Sequence, residues 1–100
     1  MAMTQERLSD SEIQEALGQV PGWELPGNLI KREFQFKDFD QAMEFVNGVA
    51  EIARQMDHHP NMCIYYSKVD IELTTHKAGG LTEEDFKLAR KIDKIVSSER

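Results

Sequence analysis

The sequence predicts an α+β fold: a small antiparallel sheet, four strands drawn from two hairpins, with three helices packed on one face. Three observations lead there. Apolar residues switch between the three-and-four period of helices and the alternation of strands, in the order helix, hairpin, helix, hairpin, helix. Two polar helix starts, Ser9 to Glu12 and Thr82 to Asp85, have the spacing of capping boxes. Pro21-Gly22, Pro26-Gly27 and Gly79-Gly80 punctuate the connections. One hundred residues suffice for one modest core, so residues 1–100 are expected to form a single domain.

In the first segment Ser9 is the N-cap, Glu12 closes the box, and Leu8 is placed to staple to Ile13. Ile13, Ala16, Leu17 and Val20 give one apolar face, and Pro21-Gly22 stops the helix at Val20. Two extended candidates follow, Trp23 to Leu25 and Leu29 to Phe36, joined by the turn tripeptide Pro26-Gly27-Asn28. In the longer one Ile30, Phe34 and Phe36 alternate with Lys31, Glu33 and Gln35, and Arg32 is the exception. From Asp38 the period becomes helical: Phe39, Ala42, Met43, Val46, Val49, Ala50, Ala53 and Met56 share a face that Phe45 and Ile52 widen. Pro60 biases His59 out of the helical region, so this helix ends by Met56 to Asp57 and the histidine pair lies on a connection. The stretch "CIYYSKVDIELTTH" reads as a second hairpin turning at Ser67-Lys68, with Val69, Ile71 and Leu73 on one face and Asp70, Glu72, Thr74 and His76 on the other. The closing helix runs from Thr82 to about Ser97, its inner stripe Phe86, Ala89, Ile92 and Val96.

Composition narrows the function classes. With 12 basic against 18 acidic side chains, net −6, and no basic stripe, direct nucleic-acid binding is not expected. No apolar run approaches the roughly 20 residues of a membrane span, and the polar start "MAMTQERLSDSE" lacks the apolar centre of a signal peptide. The lone Cys63 has no disulfide partner or C-x-x-C neighbour and reads as a small buried hydrophobe in a reducing, cytoplasmic compartment.

The chemistry concentrates in one stretch. All three histidines, His58, His59 and His76, fall between Asp57 and Lys77, near the ends of one helix-to-hairpin unit. Histidine titrates near neutral pH and serves as acid or base. Neighbouring side chains of an extended segment point to opposite sides, so His58 and His59 do not readily share a metal, and no metal site is expected. Asp57 either orients a histidine by accepting its second ring proton or simply ends the helix. Trp23 is read as core or rim, with a stacking role for a planar heterocycle as the alternative.

"DHHP", then "YSKVDIELTTH", then "AGGLTEEDFKLA", with Trp23 and the run from Phe34 to Phe39 ahead of them, resembles the pterin-4a-carbinolamine dehydratases. That family also includes the dimerization cofactor of a hepatocyte transcription factor. The resemblance implies four antiparallel strands with three helices on one face, assembly into homodimers or homotetramers, and dehydration of 4a-hydroxytetrahydropterin to the quinonoid dihydropterin without metal or cofactor. Carried over by position, His58, His59 and His76 would be the acid–base and orienting trio, His58 the principal acid, His76 the alternative acid and His59 chiefly a holder of substrate. Asp57, Thr74, Thr75 and Lys77 would line the pterin site, with Trp23, Pro60 and Asp85 as further members. One departure stands out: many members carry a glutamate four residues before the first histidine, where this chain has Arg54.

Two other functions compete with the enzyme. One is a module that dimerises and docks a partner helix through Phe45, Val49 and Ile52 of the long helix. The other is an assembly factor that keeps the fold and uses the pocket differently.

Overall fold

The computed structural model describes residues 6–98, so the first five residues of the polar start, and the last two of the chain, lie outside the description. The elements run α1 (Asp10–Leu17), β1 (Ile30–Gln35), α2 (Phe39–Met56), β2 (Asn61–Tyr65), β3 (Lys68–Leu73) and α3 (Glu83–Ser98), with a 3₁₀ turn at His76–Ala78.

The capping signals are realised at both early helices. At α1 the Ser9 N–H donates to Glu12 Oε1 at 2.8 Å and the Glu12 N–H to Ser9 Oγ at 3.2 Å, a reciprocal box. The helix ends at Leu17, and the chain tightens through three-residue bonds from Gln19 to Ala16 and from Val20 to Leu17 before Pro21. At α2 the Gln41 N–H donates to Asp38 Oδ1, 2.9 Å, while the Gln41 side chain accepts from the Lys37 N–H, 3.0 Å.

The sheet has three strands in the order β1-β3-β2, all antiparallel, rather than the four expected. Trp23 to Leu25 pairs through a single residue: Glu24 and Lys31 exchange both backbone bonds, at 2.8 and 2.9 Å. Pro21-Gly22 and Pro26-Gly27 leave too little chain between them for a ladder, since proline contributes no donor. The second hairpin turns through Tyr66-Ser67, one residue earlier than Ser67-Lys68, with Tyr66 at φ 58°.

The pleat sorts the side chains. Ile30, Phe34, Val69, Ile71 and Leu73 face inward and are buried together with Val20, Trp23, Ala42, Phe45, Val46, Val49, Phe86, Leu88, Ala89 and Ile92. Phe45 sits at the centre, its ring centroid 4.7 Å from Phe34 and 4.9 Å from Phe36. Arg32, the exception in the strand pattern, shares this inner face and meets a partner there: Asp93 of α3 accepts from its guanidinium at 2.8 Å and from Trp23 Nε1 at 3.0 Å. Buried polar atoms need such partners.

Two surface expectations are corrected. Phe45 and Val49 are fully buried and Ile52 is packed against the core, so the helix face proposed for docking is already occupied by the protein itself. Cys63 is exposed, because β2 is the sheet edge and Cys63 lies on its outer face beside Asp70. Among the described residues no helix is long and apolar enough to cross a membrane.

Candidate active site

Three chain segments meet at one end of the sheet. The first is the end of α2. Asp57 adopts the left-handed conformation, φ 54° and ψ 42°, which turns the chain out of the helix. The His58 N–H then bonds back to the Ala53 carbonyl at 3.1 Å, fastening the histidine backbone to the helix end. The second is the end of β3, where Thr74 and Thr75 continue the strand. Thr75 and Gly80 exchange backbone bonds at 3.1 and 3.3 Å, closing a loop that carries His76 and Lys77. Gly79 turns that loop at φ 77°, a conformation open to glycine at little cost. The third is the first turn of α3.

Asp57, His58, His59, Thr74, Thr75, His76 and Lys77 line one concavity of about 560 Å³, within the roughly 300–1,000 Å³ of small-molecule sites. A second concavity, of about 450 Å³, lies over Pro21, Gly22, Arg32 and Asp93, with no histidine and with its two charges paired to each other.

Beneath the first concavity lies a closed polar network. His58 Nε2 is 2.6 Å from Asp85 Oδ1, and Asp85 is fully buried. Asp85 Oδ2 accepts from Thr75 Oγ1 at 2.8 Å and from the Thr82 N–H at 2.9 Å. Thr75 and Thr82 hydroxyls are 2.9 Å apart, and both residues are buried. As a carboxylate Asp85 is an acceptor only, so the bond from the ring is Nε2–H donating. His58 Nδ1 has no hydrogen-bond partner among the described residues, and His58 is one of the residues that line the concavity. The ring therefore has one nitrogen anchored and one free for chemistry. No group of three or more His, Cys, Asp or Glu among the described residues is arranged to hold a metal.

The residues singled out in the sequence are not all here. The three histidines, Asp57, Thr74, Thr75 and Lys77 come together, with His59 and His76 exposed and His58 buried. Trp23 and Pro60 do not line the concavity, and Trp23 belongs to the core with its N–H on Asp93. The carboxylate that meets a histidine ring is that of Asp85, not Asp57. Arg54, one turn before Asp57, is also outside; it pairs with Glu51 at 2.8 Å, and its guanidinium holds that carboxyl below the usual carboxylate range. Thr82 was legible only as a helix cap. Its hydroxyl instead joins Thr75, and nothing in the sequence distinguishes the two uses.

Comparison with known proteins identifies the family. Residues 6–95 match the family model described as pterin 4 alpha carbinolamine dehydratase. Relatives named "Putative pterin-4-alpha-carbinolamine dehydratase" include one from Sulfolobus acidocaldarius, 48% identical over 89% of this chain and 98% of its own length. Another, from Sulfurisphaera tokodaii, is 50% identical over 91% of this chain and 98% of its own. A crystal structure of a transcriptional coactivator/pterin dehydratase from Brucella melitensis superposes with a TM-score of 0.86 at 42% identity, covering 90% of this chain and 98% of that one. A pterin dehydratase-like protein identified as a RuBisCO assembly factor in the alpha-carboxysome shares the fold, with a TM-score of 0.63 at 22% identity, covering 73% of this chain and 87% of that one. The chain belongs to the pterin 4 alpha carbinolamine dehydratase family.

Proposed function

We propose that the protein dehydrates a 4a-hydroxytetrahydropterin, 4a-hydroxytetrahydrobiopterin in the first instance, to the quinonoid dihydropterin and water, so returning a spent tetrahydropterin towards reuse. The observation that carries this reading is the convergence of three imidazoles on one concavity, one of them anchored through a single nitrogen to a buried carboxylate.

The reaction needs two proton transfers and no electrons. The bond from C4a to the hydroxyl oxygen breaks as a proton reaches that oxygen. The N5 lone pair forms the C4a=N5 double bond, and the N5 proton passes to a base. In this reading His58 delivers the first proton from Nδ1 while Asp85 keeps hold of the Nε2 proton, so the ring gains and loses its proton at one defined atom. His76, on the Gly79 loop and lining the same concavity, receives the second proton and is the alternative acid. His59 chiefly holds the substrate, Asp57 and Lys77 offer charged groups to the pterin edge, and Thr74 and Thr75 line the space with their hydroxyl protons already given to Asn28 and Asp85. Positioned acid–base assistance of this kind contributes about 10²- to 10⁴-fold, which is enough for a carbinolamine that already loses water unaided.

Self-association belongs to the same reading. The edge strand β2 contains neither a charge nor a proline, and Ile64 and Tyr65 on it are exposed, the features of an edge that pairs with another strand.

The test is stopped-flow dehydration of freshly generated 4a-hydroxytetrahydropterin with chelator present, comparing the native protein with His58→Ala and His76→Ala. Chelator-resistant acceleration that both substitutions weaken is the expected result. A rate no faster than the spontaneous one refutes the dehydratase reading.

A further inference from the structure

The network under the concavity contains one hydroxyl that neither caps a helix nor touches the space where a ligand sits. Thr82 is fully buried at the start of α3. Its backbone N–H serves Asp85 Oδ2, 2.9 Å away, and its hydroxyl faces Thr75 Oγ1 at 2.9 Å.

The proton order in this network follows from counting donors. Each hydroxyl has one proton to give. Thr75 gives its proton to Asp85 Oδ2, so between the two threonines Thr82 is the donor and Thr75 the acceptor. Thr82 O–H donates to Thr75 Oγ1, Thr75 O–H to Asp85 Oδ2, and from the other side His58 Nε2–H to Asp85 Oδ1. Without the Thr82 hydroxyl, the Thr75 oxygen is no longer held from behind and its proton is free to rotate away from Asp85. The carboxylate then keeps one donor on Oδ2, the Thr82 N–H, and loses the second constraint that aligns Oδ1 with His58.

We infer that Thr82 is a positioning residue for His58: acting through Thr75 and Asp85, its hydroxyl holds the carboxylate in line with the Nε2–H and so keeps the ring set with Nδ1 left for the substrate. The rate arm of its test rests on the dehydratase reading. The spectroscopic arm rests on the geometry alone, so the two fail separately.

The pair of variants is Thr82→Val, which keeps the shape and removes the hydroxyl, and Thr82→Ser, which keeps the hydroxyl and removes the methyl. The resonance of the His58 Nε2 proton reports the bond to Asp85 in each folded protein. The native protein and Thr82→Ser are expected to show it far downfield and slow to exchange with water, and Thr82→Val less far downfield and faster to exchange. In the stopped-flow assay kcat falls about two- to tenfold in Thr82→Val, the equivalent of one hydrogen bond between neutral groups, with KM little changed, and Thr82→Ser recovers most of it.

A native Nε2 proton resonance in Thr82→Val overturns the inference, even if the rate falls, because the loss is then a general one of structure. A Thr82→Ser protein that shows the shifted, fast-exchanging resonance overturns it as well. If the native protein does not accelerate dehydration, the function proposed above fails and the proton spectra alone decide the role of Thr82.

Discussion

Replacing Asp85 by asparagine changes one atom and reverses the polarity of the contact with His58. The side-chain oxygen of asparagine must take over one of two positions. At the Oδ2 position it accepts from Thr75 Oγ1 and the Thr82 N–H, as the carboxylate does; the amide nitrogen there would set donor against donor. The oxygen therefore stays on that side and the NH₂ group faces His58 Nε2, where the carboxylate oxygen now lies at 2.6 Å. The ring can meet an N–H there only by accepting, which moves its proton to Nδ1 in the neutral form. The doubly protonated ring, the acid of the proposed reaction, has no acceptor left on its inner side. A hydrogen bond to a charged group contributes about 1.5–3 kcal/mol, so kcat for dehydration is expected to fall roughly 10- to 150-fold, with KM nearly unchanged. Loss of a carboxylate from the first turn of α3 also removes about 0.3–1 kcal/mol of dipole stabilisation, a modest shift in urea denaturation that leaves the protein folded. The assay is stopped-flow decay of the carbinolamine with chelator, alongside the His58 tautomer spectrum. An Asp85→Asn protein with native kcat, or one in which His58 still carries its proton on Nε2, refutes the proposed anchoring.

Two further outcomes follow from the fold. Phe45→Ala removes a fully buried ring from contact with Phe34 and Phe36; the expected cost is about 3–5 kcal/mol, a large share of the roughly 5–15 kcal/mol that holds a domain together, and urea denaturation measures it. Ile64→Lys places a charge on the uncharged edge strand β2, an addition that disfavours strand pairing. Sedimentation is expected to show a smaller particle than the native protein forms, and an unchanged particle would refute the proposed pairing through β2.

Much of the fold was legible because local signals agreed with the tertiary arrangement. Ser9 with Glu12 and Asp38 with Gln41 each bind the backbone atoms that their spacing predicts. The alternation at Val69, Ile71 and Leu73 marks the buried face of the central strand. The failures have a common cause, since a one-dimensional pattern identifies an apolar face without saying what covers it. Phe45 and Val49 read equally well as core and as a docking surface, and the packing of α2 on β3 and α3 settles them as core. Cys63 was taken as buried because its type favours burial, but β2 is an edge and its neighbour across the pleat is Asp70. The fourth strand failed on length, with prolines on both sides. Within the candidate site the spacing of the histidines indicated convergence, whereas Asp85 and Thr82 bear a double meaning. A residue three places after a threonine at a helix start is the natural cap partner, and the same carboxylate is the one that holds His58.

Asp57 carries a conflict between durability and use. Its left-handed backbone is uncomfortable for any side chain with a Cβ, at a cost of about 1–2 kcal/mol, and glycine would relieve it. Yet the same residue brings a carboxylate to the concavity. A laboratory screen that rewards only heat resistance will favour glycine at this position, and each such gain will strip a negative charge from the mouth of the site. On the proposed function, hardened descendants of this protein will then survive longer while offering one acceptor fewer to the hydrogen-bond-donating edge of the pterin, unless turnover is selected alongside survival.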